Sequence, residues 1–262
     1  MPLLDTTREV IRMVEEKSGF PVDVGVDPRL STIAVVKMAR GPIQMHRIVY
    51  NPNYSAQVDY TICFQCGFIL RLFEHEPDKR VDFAGNGIGR SEVEKLLMDP
   101  GSGAQKMRMQ KPQIMQLRDQ LFDGIMMQLR SVPIGMRIDL WLLNQYSELR
   151  EQQRASLLKQ FRANVEILKP EYERTFPAKI YQPNLTMNIA YARFWADLNG
   201  EPNLARAYRN HSYTPNALAL LKIYNEMPGD PTNDRNLIDA WANELGLQGW
   251  YNWVKYETPN TR

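Results

Sequence analysis

The chain has 262 residues, with 32 Lys and Arg against 30 Asp and Glu, and 44% of it is apolar. This composition excludes a disordered chain, a collagen-like chain and a disulfide scaffold, and the near-zero net charge gives no sign of generic nucleic-acid binding. Three histidines and two cysteines are a thin stock for a zinc site, which draws several such residues together.

No run approaches the roughly 20 apolar residues of a membrane span. Met1-Pro2-Leu3-Leu4-Asp5 lacks the basic and apolar regions of a secretory signal. Two cysteines three positions apart cannot clip distant segments together, so a cytoplasmic setting is expected.

Helical spacing of Val10, Ile11 and Val14 predicts a helix over Thr6 to Glu16, closed by Gly19-Phe20-Pro21. Strands follow at Val22 to Val26, Ser31 to Met38 and Ile43 to Tyr50. In the last, Ile43, Met45, Arg47 and Val49 share one face, and Gly41-Pro42 supplies a hairpin turn. Asn51-Pro52-Asn53 ends that strand. Ser55 to Phe73 then reads as a helix apolar on most faces, hence central and buried. Pro77 marks a polar exit over His75 to Arg80.

Glycine and polar residues concentrate between positions 81 and 112, where a linker or mobile loop is expected. Ser91-x-x-Glu94 has the form of a capping box opening a helix over Ser91 to Leu97. Further helices are expected over Gln113 to Leu129, Met136 to Leu168 (one or two), and Leu185 to Leu198 with Gly200 as stop; Thr214-Pro215 and Asp234 open two more. The sequence thus predicts an α+β fold: a small antiparallel sheet with helices near the N-terminus, then a predominantly helical remainder. Residues 1–100 form the α+β region and 101–262 the helical one, packed together as one unit.

The central helix carries the most specific pattern. In Thr61-Ile62-Cys63-Phe64-Gln65-Cys66-Gly67-Phe68, the residues Thr61, Ile62, Cys63, Cys66 and Gly67 match a helix of the form Thr–apolar–small–His–Glu–apolar–Gly–His. The upstream Arg47-Ile48-Val49-Tyr50-Asn51-Pro52 matches the strand ending in Asn-Pro that precedes it. Residues 30 to 74, under a fifth of the chain, resemble the zincin-like metallopeptidases often fused to helix-turn-helix regulators. In that family two imidazoles four apart bind zinc, and the Glu beside the first is the general base. Here those three positions are Phe64, Gln65 and Phe68. The rings offer no lone pair, and the Gln amide cannot accept a proton near neutral pH. The resemblance therefore implies a pseudopeptidase, with no metal and no cofactor.

His46, His75 and His211 are far apart, and after His75-Glu76 the place of a second His is taken by Lys79. Cys63-Phe64-Gln65-Cys66 has redox spacing, but it lies inside an apolar helix rather than at its N-terminus, which favours burial. Gly85, Gly87, Gly89 and Arg90 form a candidate ligand loop for a phosphate, although their spacing is neither a dinucleotide fingerprint nor a P-loop. Lys106, Arg108, Lys111 and Arg118 form a basic stretch able to meet nucleic-acid phosphates. On the later helix Arg150, Arg154, Lys159 and Arg162 alternate with Glu148, Glu151 and Glu166, as on a solvated helix face. Trp250, Tyr251 and Trp253 are a candidate partner patch, with core packing as the competing role.

Three functional readings result. The first is a non-catalytic binding or regulatory protein with a protein partner and no membrane partner. The second is an enzyme using the Gly85–Gly89 loop. The third is a nucleic-acid-binding module using residues 106–118.

Overall fold

The computed structural model of the chain describes residues 3–259. Helix α1 (Asp5–Ser18) leads into β1 (Val22–Val26), β2 (Ala34–Lys37) and β3 (His46–Tyr50), and then into α2 (Val58–Phe73). Next come β4 (Val81–Gly85), α3 (Gly87–Met98), the single-turn α4 (Gly103–Lys106) and the long α5 (Lys111–Gln145). The chain continues with α6 (Arg150–Asn164), α7 (Pro170–Thr175), α8 (Ala178–Asn199), α9 (Thr214–Glu226), α10 (Asp234–Glu244) and β5 (Tyr251–Lys255). The fold is α+β with helix dominant. Among the described residues no helix is long and apolar enough to cross a membrane.

Two compact units are formed, and no single cut at residue 100 separates them. The first contains residues 3–82, 134–159 and 254–259; the second contains 83–133 and 160–253.

In the first unit, α1 buries Thr7, Val10 and Val14 at helical spacing. It stops at Gly19, whose φ of 77° lets its N–H turn back to the Glu15 carbonyl. The sheet is mixed, not antiparallel as the sequence suggested. Its order is β1-β3-β2, with β1 parallel to β3 (Val22 opposite His46) and β2 antiparallel to it (Ala34 opposite Tyr50). The connection after β1 carries the chain past β3 instead of turning back in a hairpin. The end of β3 holds that connection: Asp27 N–H donates to the Tyr50 carbonyl, and the Asn51 side chain donates to the Leu30 carbonyl at 2.7 Å.

The β2–β3 turn at Gly41-Pro42 is present, with Arg40 bridged to Ile43. The buried face of β3 is the opposite of the expected one. His46 and Ile48 point inward, whereas Ile43 and Met45 are 55% and 42% exposed. Helix α2 follows a 3-10 turn over Pro52–Gln57 and so starts three residues later than the pattern suggested. Val10, Val14, Ile48, Ile62, Cys66, Ile69 and Leu142 are the fully buried heart of this unit.

In the second unit, Phe122 and Leu129 of α5, Leu185 and Ile189 of α8, Leu220 of α9 and Trp241 of α10 are fully buried. Proline does not break these helices where the sequence suggested. Buried Pro133 lies inside α5 and buried Pro183 inside α8, so α8 starts seven residues before Leu185. An internal proline costs a helix about 3 kcal/mol, and burial of the flanking apolar side chains offsets that cost. Gly200 ends α8 as expected, at φ 63°. The stretch after residue 81 is not a linker. It holds β4, which pairs with β5, and α3. The N-cap of α3 is Asn86, whose side chain accepts the Gly89 N–H at 3.0 Å, so Ser91-x-x-Glu94 lies inside the helix rather than at its start.

Candidate functional site

Phe64, Gln65 and Phe68 all remain within reach of solvent, although the helix that carries them is central. Their neighbours Tyr60, Ile62, Cys63, Cys66 and Ile69 on α2 are buried against α1, the sheet and the C-terminal part of α5, while Phe64, Gln65 and Phe68 are half-buried. One turn apart, the rings of Phe64 and Phe68 meet edge to face at 5.4 Å, and Tyr60 extends the row at 5.9 Å from Phe64.

Two glycines let α5 approach closely. A Cβ on Gly135 would lie 3.1 Å from the tip of the Phe64 ring, and a Cβ on Gly67 would lie 2.4 Å from Cγ2 of Ile138. The helix–helix seam therefore depends on small residues from both sides.

Next to the ring row lies a buried polar cluster that the sequence reading missed. The Tyr60 hydroxyl donates to Asp139 Oδ1 at 2.8 Å, and Gln153 donates to the same carboxylate at 3.1 Å and to the Asp139 carbonyl at 2.9 Å. Asp59 accepts the Leu4 N–H, the Thr7 hydroxyl at 2.7 Å and the Gln152 amide. Gln152 in turn accepts the Tyr60 N–H. Asp139 is fully buried. Its available signal was a lone carboxylate inside the apolar run Met136 to Leu142.

The cysteines are buried and free. Burial pushes the Cys63 thiol up to about 12 and raises Cys66 as well, so neither is a thiolate near neutral pH. The Cys63 thiol points at the Thr7 oxygen, 3.8 Å away. His46 is fully buried; its Nδ1 accepts the Ala39 N–H at 3.1 Å, which leaves the proton on Nε2. It stands edge-on to Phe73 and Phe20, and burial lowers its titration to about 4. His46 is thus a core residue. Among the described residues no group of three or more His, Cys, Asp or Glu side chains could hold a metal ion. The residues at the peptidase positions do not fit zinc.

The glycine loop is an ordered strand-to-helix junction. A Cβ at Gly85 would lie 2.7 Å from Phe122, and one at Gly89 would lie 2.5 Å from Phe122 and 2.8 Å from Trp250. Those two glycines admit aromatic rings, and only Gly87 of the three has open space. Asn86 takes up the first helical amide, and Arg90 is paired with Asp119 at 2.9 Å and Asp123 at 2.6 Å while lying over the Phe122 ring.

In the basic stretch, Arg118 is held by Glu94 and Asp119, leaving Lys106, Arg108 and Lys111 exposed. The candidate partner patch is corrected. Trp250 and Tyr251 are buried at 3% and 9% exposure, with Trp250 stacked near Phe122 and Tyr251 stacked on Phe83 at 4.3 Å. Asp239 Oδ1 accepts both the Tyr251 hydroxyl at 2.6 Å and the Trp253 indole N–H at 2.8 Å. These rings serve the unit's own core, and only Trp253 of the three is half-exposed. No known family, curated protein or solved structure matches the chain.

Proposed function

We propose that the chain is a non-catalytic binding protein, regulatory in role, built on a degenerate metallopeptidase-like layout, and that it acts on a protein partner in the cytoplasm. The observation that carries this reading is the α2 face. Phe64, Gln65 and Phe68 stay half-exposed on a buried helix that follows a strand ending at Asn51-Pro52. The order of one helix, three strands and a central helix supports the same reading. A face of two rings and a neutral amide can neither ligate zinc nor activate water, but it can bury apolar surface against another molecule.

The other two readings draw less support. The Gly85–Gly89 junction uses its glycines to admit aromatic rings, its helix N-terminus is capped by Asn86, and Arg90 is already paired. In the 106–118 stretch Arg118 is already paired as well.

The test is elemental analysis of protein purified without chelator, together with incubation of the same protein with an unstructured polypeptide and added zinc. No stoichiometric zinc and no cleavage are expected. One zinc per chain with chelator-sensitive cleavage would overturn the reading.

A further inference from the structure

The second unit contains a cavity of about 150 Å³ between α5, the 3-10 turn at Val165–Leu168, Phe176 and the first turns of α8. Its walls are apolar: Leu121, Ile125, Ile167, Phe176 and Ile180. No charged side chain lines it. The polar groups at its boundary are neutral. Tyr181 is 3% exposed, and its hydroxyl has no hydrogen-bond partner among the described residues. Asn184 accepts the Asn188 amide at its Oδ1, which leaves its own N–H groups available.

Gly124 also lines this cavity, in the interior of α5. Glycine is the poorest helix former after proline, so a mid-helix glycine needs a reason. Neither backbone conformation nor packing supplies one: Gly124 has no positive φ, and a Cβ there would meet nothing within 4 Å. The residue leaves open space at the edge of the cavity.

We propose that this cavity is a binding site for a neutral, single-ring small molecule carrying one hydrogen-bonding group, of the phenol class. The volume sets the size. A cavity of roughly 150 Å³ accommodates a benzene-sized ring, and is too small for a nucleotide or a peptide side-chain pair. The uncharged lining sets the charge, because an ion would lose its hydration without a partner. The Tyr181 hydroxyl sets the need for one polar atom on the ligand.

The experiment measures binding of phenol and of toluene to the full chain by ligand-observed NMR and thermal shift. Three variants accompany the natural chain. Gly124→Ala keeps the opening and binds both probes. Gly124→Leu places a branched side chain at the opening and weakens both by about tenfold or more, while improving the helix. Tyr181→Phe lowers phenol affinity about fivefold and leaves toluene unchanged. Saturable binding with this pattern supports the site. Absence of saturable binding to the natural chain, or equal binding by Gly124→Leu, overturns it. An unchanged phenol-to-toluene preference in Tyr181→Phe overturns the assignment of that hydroxyl.

Discussion

The seam between α2 and α5 makes a quantitative prediction for Gly67→Ala. In an exposed helix interior this change stabilises by about 1 kcal/mol, through helix propensity alone. Here the new methyl would lie 2.4 Å from Ile138 Cγ2, 3.0 Å from Cγ1 and 3.2 Å from Cδ1. Both residues are buried and flanked by packed side chains, so the contact is relieved only by moving α2 or α5 or by forcing Ile138 off its rotamer. Overpacking of this kind costs roughly 1–3 kcal/mol. The net effect is a loss of about 1–2 kcal/mol, opposite in sign to the propensity contribution.

The geometry also dictates which second change rescues. Ile138→Val keeps Cγ2, the closest atom, and does not relieve the clash. Ile138→Ala removes all three atoms. Alone it costs about 2–5 kcal/mol for the cavity it leaves, and in the Gly67→Ala background it costs less because the added methyl fills part of that cavity. Urea unfolding at constant m, with hydrogen exchange of α2 peptides as the local readout, measures the four corners of the cycle. Stabilisation by Gly67→Ala, or strict additivity with Ile138→Ala, would refute the close approach of these helices.

Buried titratable groups make two more predictions. His46 titrates near 4 in the fold against an ordinary 6.5, so between those values the unfolded chain holds a proton the folded chain does not. Its contribution is complete above pH 6.5 and is lost as pH falls toward 4, by about 3 kcal/mol in all; His46→Gln should flatten the stability–pH slope in that window, and an unchanged slope would count against the assignment. Cys63 and Cys66 should resist a thiol reagent at pH 8 until urea opens the first unit, and rapid labelling of the native chain would contradict their burial.

Local signals in the sequence read well where the residues near a boundary decide it. Gly19 and Gly200 end their helices in the left-handed conformation because they lack a Cβ, and Asp234 opens α10. What escaped the sequence is what tertiary packing decides. His46 and Ile48, rather than Met45 and Arg47, face inward, because β3 is the central strand of a mixed sheet whose order depends on a long connection. Pro133 and Pro183 read as stops, yet both are buried inside helices whose surroundings outweigh one missing hydrogen bond. Phe64 and Phe68 share a helix face, as their spacing of four requires, but the polar cluster beside them was invisible. Asp139 meets Tyr60 and Gln153 only once α2, α5 and α6 are assembled.

The interleaving of the two units has a consequence for biosynthesis. The Tyr256 hydroxyl donates to the Ala39 carbonyl, and Tyr256 N–H donates to the Arg80 carbonyl. These contacts close the first unit with residues made almost last, across a separation of 217 positions. As the chain leaves the ribosome, the N-terminal helix and sheet therefore emerge long before their final partners, and the buried faces of α1 and α2 wait uncovered in the meantime. So high a contact order predicts slow folding and an aggregation-prone nascent stage, and it means that neither unit can be excised as one continuous fragment.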